Sequence, residues 1–234
     1  MKYIFLTFCD GIKYEVILPH WLNRIQTTCK NCEIVIVNKN DQNIEIDDTI
    51  HAWWDVIRMN KIIEFLEKGY TVVHCDIDII IQKDIAELLE IDADFIISKA
   101  TTSHDCEYLE HYYNQYGFCI CSGFFIAKPS SISFLKYIFE KMQKKSLKYI
   151  TYETYSDQCS IMECFIDNNL STRDIIYKNT FTNMLSNVLD IDICILDDNI
   201  IKISDELGSN SYGTHMNIDK EGGSLNFLRN FYNN

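Results

Sequence analysis

Short apolar runs separated by amphipathic stretches set the rhythm of the first hundred residues. Tyr3 to Phe8 reads as a strand, and Tyr14 to Thr28 has helical spacing, with Pro19 marking a start or a kink. Glu33-Ile34-Val35-Ile36-Val37 reads as a second strand. From His51 to Lys68, Val56, Met59, Ile62, Ile63 and Leu66 fall on one stripe of a helix that Gly69 is placed to end. Tyr70 to Cys75 is then apolar and β-branched over a length that suits a buried strand. Strands and helices in alternation call for a largely parallel sheet with right-handed crossovers.

Beyond this point Asp84 can cap a short helix over Ile85 to Leu89, and Asp94-Phe95-Ile96-Ile97-Ser98 reads as another buried strand. Phe118 to Ala127 is a strand carrying Ser122-Gly123, and Ser131 opens an amphipathic helix to about Lys144. A further helix begins near Ser156, with Asp157 and Gln158 in its first turn. Short strands at Ile193 to Leu196 and Ile200 to Ile203 precede a Gly-containing loop with Thr214-His215-Met216-Asn217. No repeat, low-complexity tract or linker interrupts this order, so residues 1–234 are expected to form a single α/β domain.

The pattern carries chemistry where the run Thr71 to Ile81 is broken by Asp76 and Asp78. An Asp-x-Asp at the end of a buried strand puts two oxygen ligands at the sheet's carboxyl edge, where open α/β sheets bind ligands. Two carboxylates suit Mg²⁺ or Mn²⁺, which complete their shells with water and substrate phosphates, so a phosphorylated ligand is implied. Two more such strings, Asp92-Ala93-Asp94 and Asp190-Ile191-Asp192, compete on content alone, and the latter reads as surface.

Charge narrows the partners. A formal net charge of -13 argues against nucleic acid or an anionic membrane surface, and a phosphate-bearing substrate would need a cation at its site. The N-terminal apolar run is too short for a signal peptide and no stretch is long enough to span a bilayer, so a soluble, cytoplasmic protein is expected. Its ten cysteines then read as reduced structural thiols. Cys29-Lys30-Asn31-Cys32 precedes a strand instead of following one and has no second pair to complete a zinc tetrad.

Four elements in order, Asp76-Ile77-Asp78 after two βα units, Ser122-Gly123-Phe124-Phe125 on a later strand, Asp157-Gln158 at a helix start and His215-Met216-Asn217 near the end, resemble the nucleotide-diphospho-sugar transferases, the GT-A type of glycosyltransferase. The resemblance covers nearly the whole chain. It implies a Rossmann-like, mostly parallel sheet flanked by helices, and transfer of a sugar from a nucleoside diphosphate sugar, a UDP-sugar first, to a hydroxyl on a glycan, protein or small-molecule acceptor. It also implies Mn²⁺ or Mg²⁺ held by Asp76, Asp78 and His215, with Asp78 the more direct ligand and Asp76 also near the donor's ribose or a bound water. Asp157 becomes the catalytic or substrate-orienting carboxylate, and Gln158 binds the sugar. Arg58 and Lys61, three apart on a polar helix face and projecting together, would sit near the nucleotide or diphosphate. Ser122 and Gly123 would let backbone approach the donor sugar, and Thr7 and Phe8 would neighbour the base. The resemblance leans toward retention of configuration.

Each assignment has a plainer alternative: a solvated helix face for Arg58 and Lys61, a ligand-free bulge for Gly123, a helix-dipole role for Asp157, and simple exposure for His215. The chain also departs from the pattern, with Ile79-Ile80-Ile81 where many relatives carry an aromatic residue and no membrane anchor of the Golgi kind, which points to a bacterial or viral cytosolic enzyme. A haloacid-dehalogenase-type phosphatase is the rival enzyme, although that family opens with its acidic triplet. A nucleotide-sugar-binding module without turnover is the non-enzymatic alternative.

Overall fold

Both faces of the first strand are buried, and that fixes the layering. In the computed structural model β1 (Tyr3–Cys9) sends Ile4, Leu6 and Phe8 into one apolar cluster and Tyr3, Phe5 and Cys9 into another, the period-two alternation of a strand covered on both sides. The structure describes residues 3–9, 12–38, 51–100, 114, 118–146, 157–168, 174–178, 181–204 and 210–216. Ser156 and Asn217 of the sequence reading, and the side chain of Val56, lie outside these residues.

Along the chain come α1 (Ile12–Thr28), β2 (Glu33–Asn38), α2 (His51–Glu67), β3 (Thr71–Cys75), β4 (Ile79–Ile81) and α3 (Ala86–Leu89). There follow β5 (Phe95–Ala100), β6 (Cys119–Ala127), α4 (Ile132–Ser146), α5 (Asp157–Asp167), β7 (Asp174–Lys178), β8 (Phe181–Val188), β9 (Ile191–Leu196), β10 (Ile201–Ile203) and β11 (Gly213–His215). The main sheet is 8-stranded in the order β2-β1-β3-β6-β5-β9-β8-β7. Its strands β2, β1, β3, β5, β9 and β7 run one way, and β6 and β8 run against them. This is the mostly parallel, helix-flanked α/β sheet expected. Side chains of α2, α4 and α5 fill one face, and α1, β4 and α3 cover the other.

Local details differ from the sequence reading for physical reasons. Pro19 neither starts nor ends a helix, because α1 runs through it. Gly69 does end α2: at φ 82° it takes the left-handed conformation, with its N–H donating to Leu66 O at 2.9 Å and that of Tyr70 to Phe65 O at 3.2 Å. Asp84 Oδ1 accepts from the Ala86 N–H at 3.1 Å at the start of α3. The segment holding His215 is not a loop: Gly213–His215 forms β11, in a 3-stranded sheet of order β10-β11-β4. The hairpin β7–β8 also escaped the sequence reading, and its run on into β9 turns through Leu189 and Asp190, both at positive φ.

The irregularity that matters most is in β6. Its pairing with β5 jumps from Ile97 opposite Phe125 to Ser98 opposite Cys121, so Ser122, Gly123 and Phe124 have no partner on β5 and form a bulge, with Phe124 still opposite Cys75 of β3. The buried Ser98 hydroxyl lies within reach of two carbonyls at the bulge, Cys121 O at 2.9 Å and Phe124 O at 3.1 Å. Replacing Ser98 by alanine would leave those carbonyls short of a donor. The expected cost is about 1–2 kcal/mol, readable as a lower denaturant midpoint with unchanged slope.

Candidate active site

The Asp-x-Asp strings separate by edge. Asp92-Ala93-Asp94 and Asp190-Ile191-Asp192 lie at the starts of β5 and β9 and hold each other: the Asp94 N–H donates to Asp192 O at 2.8 Å, and the Asp192 N–H to Asp94 Oδ2 at 2.9 Å. They serve as strand ends. Asp76 and Asp78 instead follow the carboxyl end of β3, in a turn closed by the Ile79 N–H on Asp76 O at 3.0 Å.

The small sheet brings in the third group. β4 follows directly from Asp78 and pairs antiparallel with β11, setting His215 opposite Ile79, while the Met216 N–H donates to Asp78 O at 3.0 Å. Gln82 Oε1 accepts from the hydroxyls of Thr214 at 2.7 Å and Ser211 at 3.0 Å, which clamps β11 alongside β4. As a result one ligand atom from each of Asp76, Asp78 and His215 falls within 4.8 Å of the others. His215 Nε2 stands 3.2 Å from Asp78 Oδ1, and its Nδ1 faces Cys121 Sγ at 3.4 Å.

The β6 bulge makes room for this cluster. The Asp76 N–H donates to Gly123 O at 2.7 Å, and a Cβ on Gly123 would come within 2.8 Å of both Asp76 Oδ2 and His215 Cε1. The absent side chain at 123 is therefore filled by the two candidate ligands. Two carboxylates and an imidazole converging over a glycine fit a divalent cation such as Mn²⁺.

Electrostatics agree with that fit. Burial pushes the Asp76 carboxyl up, yet a hydrogen bond from His74 and the positive charges around it, Arg58 and His215 included, hold it below its ordinary value. Burial likewise lowers His215, but the Asp78 carboxylate and Cys121 raise it well above the usual histidine value. A cation would have to displace that proton. The affinity for a divalent cation held through His215 is therefore expected to rise with pH toward the raised folded value, with proton release read by calorimetry in paired buffers. In the metal-free chain the same shift stabilises the fold. That contribution is complete below the unfolded value of about 6.5 and is lost as pH rises through the higher folded one.

Arg58 joins the cluster from α2. Its Nη2 makes a close ion pair with Asp157 Oδ2 at 2.7 Å, and its Nη1 lies 3.5 Å from Asp76 Oδ1. Asp157 is fully buried at the first turn of α5, and its Oδ1 accepts the Gln158 N–H at 2.8 Å. The Gln158 side-chain oxygen accepts from the Ser122 N–H at 3.1 Å, tying α5 to the bulge. Lys61 and Arg58 take different partners: Lys61 pairs with Glu64 at 2.9 Å, half-exposed, while Arg58 turns to the two aspartates. Thr7, near the carboxyl end of β1, is buried with a hydroxyl that meets no hydrogen-bonding atom among the described residues, and Phe8 packs its ring on His74.

Sequence reasoning passed over His74, Cys121 and Ser98. A histidine inside the run Thr71 to Cys75 was the available signal, since a polar side chain in a doubly buried strand needs a reason. The thiol pair Cys29 and Cys32 carries no such interest. Burial drives Cys29 up to about 12, and Cys32 Sγ donates to the Cys29 carbonyl at 3.6 Å.

The profile of the nucleotide-diphospho-sugar transferase family matches residues 39–168, a span holding Arg58, Asp76, Asp78, the β6 bulge and Asp157 but neither Thr7 nor His215. Among solved structures, the chain is similar to a glycosyltransferase involved in the glycosylation of the major capsid of PBCV-1, at 8% identity and a TM-score of 0.60, over 98% of this chain and 100% of that one. Mouse xyloside xylosyltransferase 1 in its apo form is similar at 8% identity and a TM-score of 0.56, over 94% of this chain and 99% of that one. At such identities these likenesses concern the fold. No curated protein sequence matches significantly. Among the described residues no helix is long and apolar enough to cross a membrane.

Proposed function

Because this chain belongs to the nucleotide-diphospho-sugar transferases and is thus a glycosyltransferase, we propose that it moves a sugar from a UDP-sugar to a hydroxyl acceptor with the help of Mn²⁺ or Mg²⁺. The observation that carries the metal reading is the convergence of Asp76, Asp78 and His215 within 4.8 Å beside Gly123. A cation bound there would offset charge on the departing diphosphate as a Lewis acid.

The chain's own groups divide the remaining work. Asp78, buried and adjacent to His215, is the firmer ligand, and Asp76 is held by backbone and side-chain contacts at the end of β3. Asp157 has no exposure, its Oδ1 accepts the Gln158 N–H and its Oδ2 faces Arg58 in an ion pair, which suits a carboxylate that orients Arg58 better than one that takes a proton from an acceptor. Arg58 then balances the carboxylates and lends positive charge beside the diphosphate. Gln158 fixes the bulge at Ser122, where the donor sugar would lie, and Thr7 and Phe8 border the base. Lys61 could reach the nucleotide only by leaving Glu64. Residues 1–234 serve as one domain, working in a cytosol, and the transfer retains configuration.

Calorimetric titration of the full chain with UDP, UDP-glucose, UDP-galactose, UDP-N-acetylglucosamine and GDP-mannose, with and without Mn²⁺, tests the reading. Metal-dependent binding of one UDP-sugar, followed by its slow hydrolysis, is the expected result. Binding of all donors without metal would overturn the metal assignment, and binding without hydrolysis or transfer would mark a binding module. Asp78→Ala is expected to lose metal-dependent turnover by about 100-fold or more while the fold persists; full turnover in that variant would overturn its role.

A further inference from the structure

His74 is a fully buried imidazole behind the candidate metal centre. Its ring packs against Phe8, with centroids 5.9 Å apart, and against Phe125 at 4.8 Å, so apolar neighbours fix its orientation. Its two nitrogens have unequal surroundings. Nε2 lies 3.2 Å from Asp76 Oδ1, whereas Nδ1 is buried and meets no hydrogen-bonding atom among the described residues.

A neutral imidazole carries one N–H. On Nδ1 that proton would be a buried donor with no acceptor, and the Nε2 lone pair would face a carboxylate oxygen. On Nε2 it makes a charge-assisted hydrogen bond to Asp76. The surroundings therefore select the Nε2–H form.

The consequence lies in how the two oxygens of Asp76 are divided. Oδ1 is occupied by His74 at 3.2 Å and by Arg58 Nη1 at the longer 3.5 Å. Oδ2 is left over Gly123 on the side of His215, where an added Cβ would come within 2.8 Å of it. We propose that His74 is a positioning residue, whose Nε2–H holds Oδ1 of Asp76 and so aims Oδ2 at the cation. The inference rests on the metal reading given above. His74 touches neither cation nor substrate and acts only through Asp76. Arg58 alone is a poorer guide, because its closer contact is to Asp157.

The test uses the full chain. His74→Leu removes the donor, and His74→Gln keeps an N–H on a side chain long enough to reach Asp76. Calorimetric Mn²⁺ titration is expected to give affinity about 10–100-fold weaker in His74→Leu and within a few-fold of wild type in His74→Gln. In turnover the Leu variant should need more metal, with kcat largely recovered at saturating Mn²⁺. A role confined to packing predicts instead that melting temperature falls while Mn²⁺ affinity in both variants matches wild type, and that result overturns the proposal.

A measurement on the wild type covers the case in which His74→Leu does not fold. With ¹⁵N in the six histidines, long-range proton–nitrogen correlation in the presence of Mg²⁺ should show a proton on Nε2 of His74. An unprotonated Nε2, with the proton on Nδ1 alone, overturns the proposal. Failure of the wild type to bind Mn²⁺ at all would overturn the metal reading itself, and this inference with it, and is distinguishable because it precedes any change at His74.

Discussion

Replacing Gly123 by alanine is expected to abolish Mn²⁺ binding within the measurable range, a loss of about 100-fold or more, while the chain stays folded. The reason is steric. A Cβ at this position would stand 2.8 Å from Asp76 Oδ2, 2.8 Å from His215 Cε1 and 3.2 Å from His215 Nδ1, so the carboxylate and the ring must both retreat. The backbone resists yielding in their place, because Gly123 O accepts the Asp76 N–H at 2.7 Å and the Ser98 hydroxyl is within hydrogen-bond reach of Cys121 O and Phe124 O at the bulge. Displacing two ligands of a three-residue set by even an ångström removes most of the benefit of holding them together. Metal titration, turnover and thermal melting on one preparation would check it. Wild-type metal affinity in Gly123→Ala would mean that Asp76 and His215 do not share an ion.

This expectation changes what Gly123 means. In the sequence a glycine within a strand reads as close approach of a donor sugar, and the structure adds that Asp76 and His215 stand where its side chain would be. The two readings differ because a sequence shows that a side chain is missing without showing what takes its place. The same limit explains His215. Its short strand holds only Gly-Thr-His, too brief for a hydrophobic period, and it exists because Ile79–Ile81 offers an edge to pair with. Long-range pairing of that kind leaves no local trace.

What was legible followed from local physics. The alternating runs from Tyr3 to Ser98 gave the βα order, since doubly buried strands must be continuously apolar. The Asp-x-Asp at Asp76 could be chosen over its two competitors because it ends a strand, whereas the others begin theirs and bond to each other. Lys61 shows what spacing leaves out. Helical spacing predicts that residues three apart are neighbours, but it does not say that Arg58 will turn inward to Asp157 while Lys61 turns to Glu64.

Loss of Arg58 is expected to be the other large single effect, on stability as well as on activity. Asp157 is fully buried, and the Arg58 guanidinium 2.7 Å away is its countercharge, with the Gln158 N–H as a further donor. Arg58→Met keeps an apolar stem of similar length but strands a carboxylate away from water, an imbalance that costs about 3–5 kcal/mol. Arg58→Lys should fare better in stability and still lose turnover, because an ammonium is a point charge and cannot span Asp157 and Asp76 as the planar fork does. The informative variant is the double one. Arg58→Met with Asp157→Leu removes both charges at once, so most of the lost stability should return, whereas turnover should not, since the guanidinium that lies beside Asp76 and would face the diphosphate is then gone. Denaturant unfolding and donor hydrolysis on the wild type, both single Arg58 variants and the double variant would separate the two contributions. If the double variant regains turnover together with stability, the ion pair serves the fold alone, and Arg58 has no part in balancing charge at the metal centre.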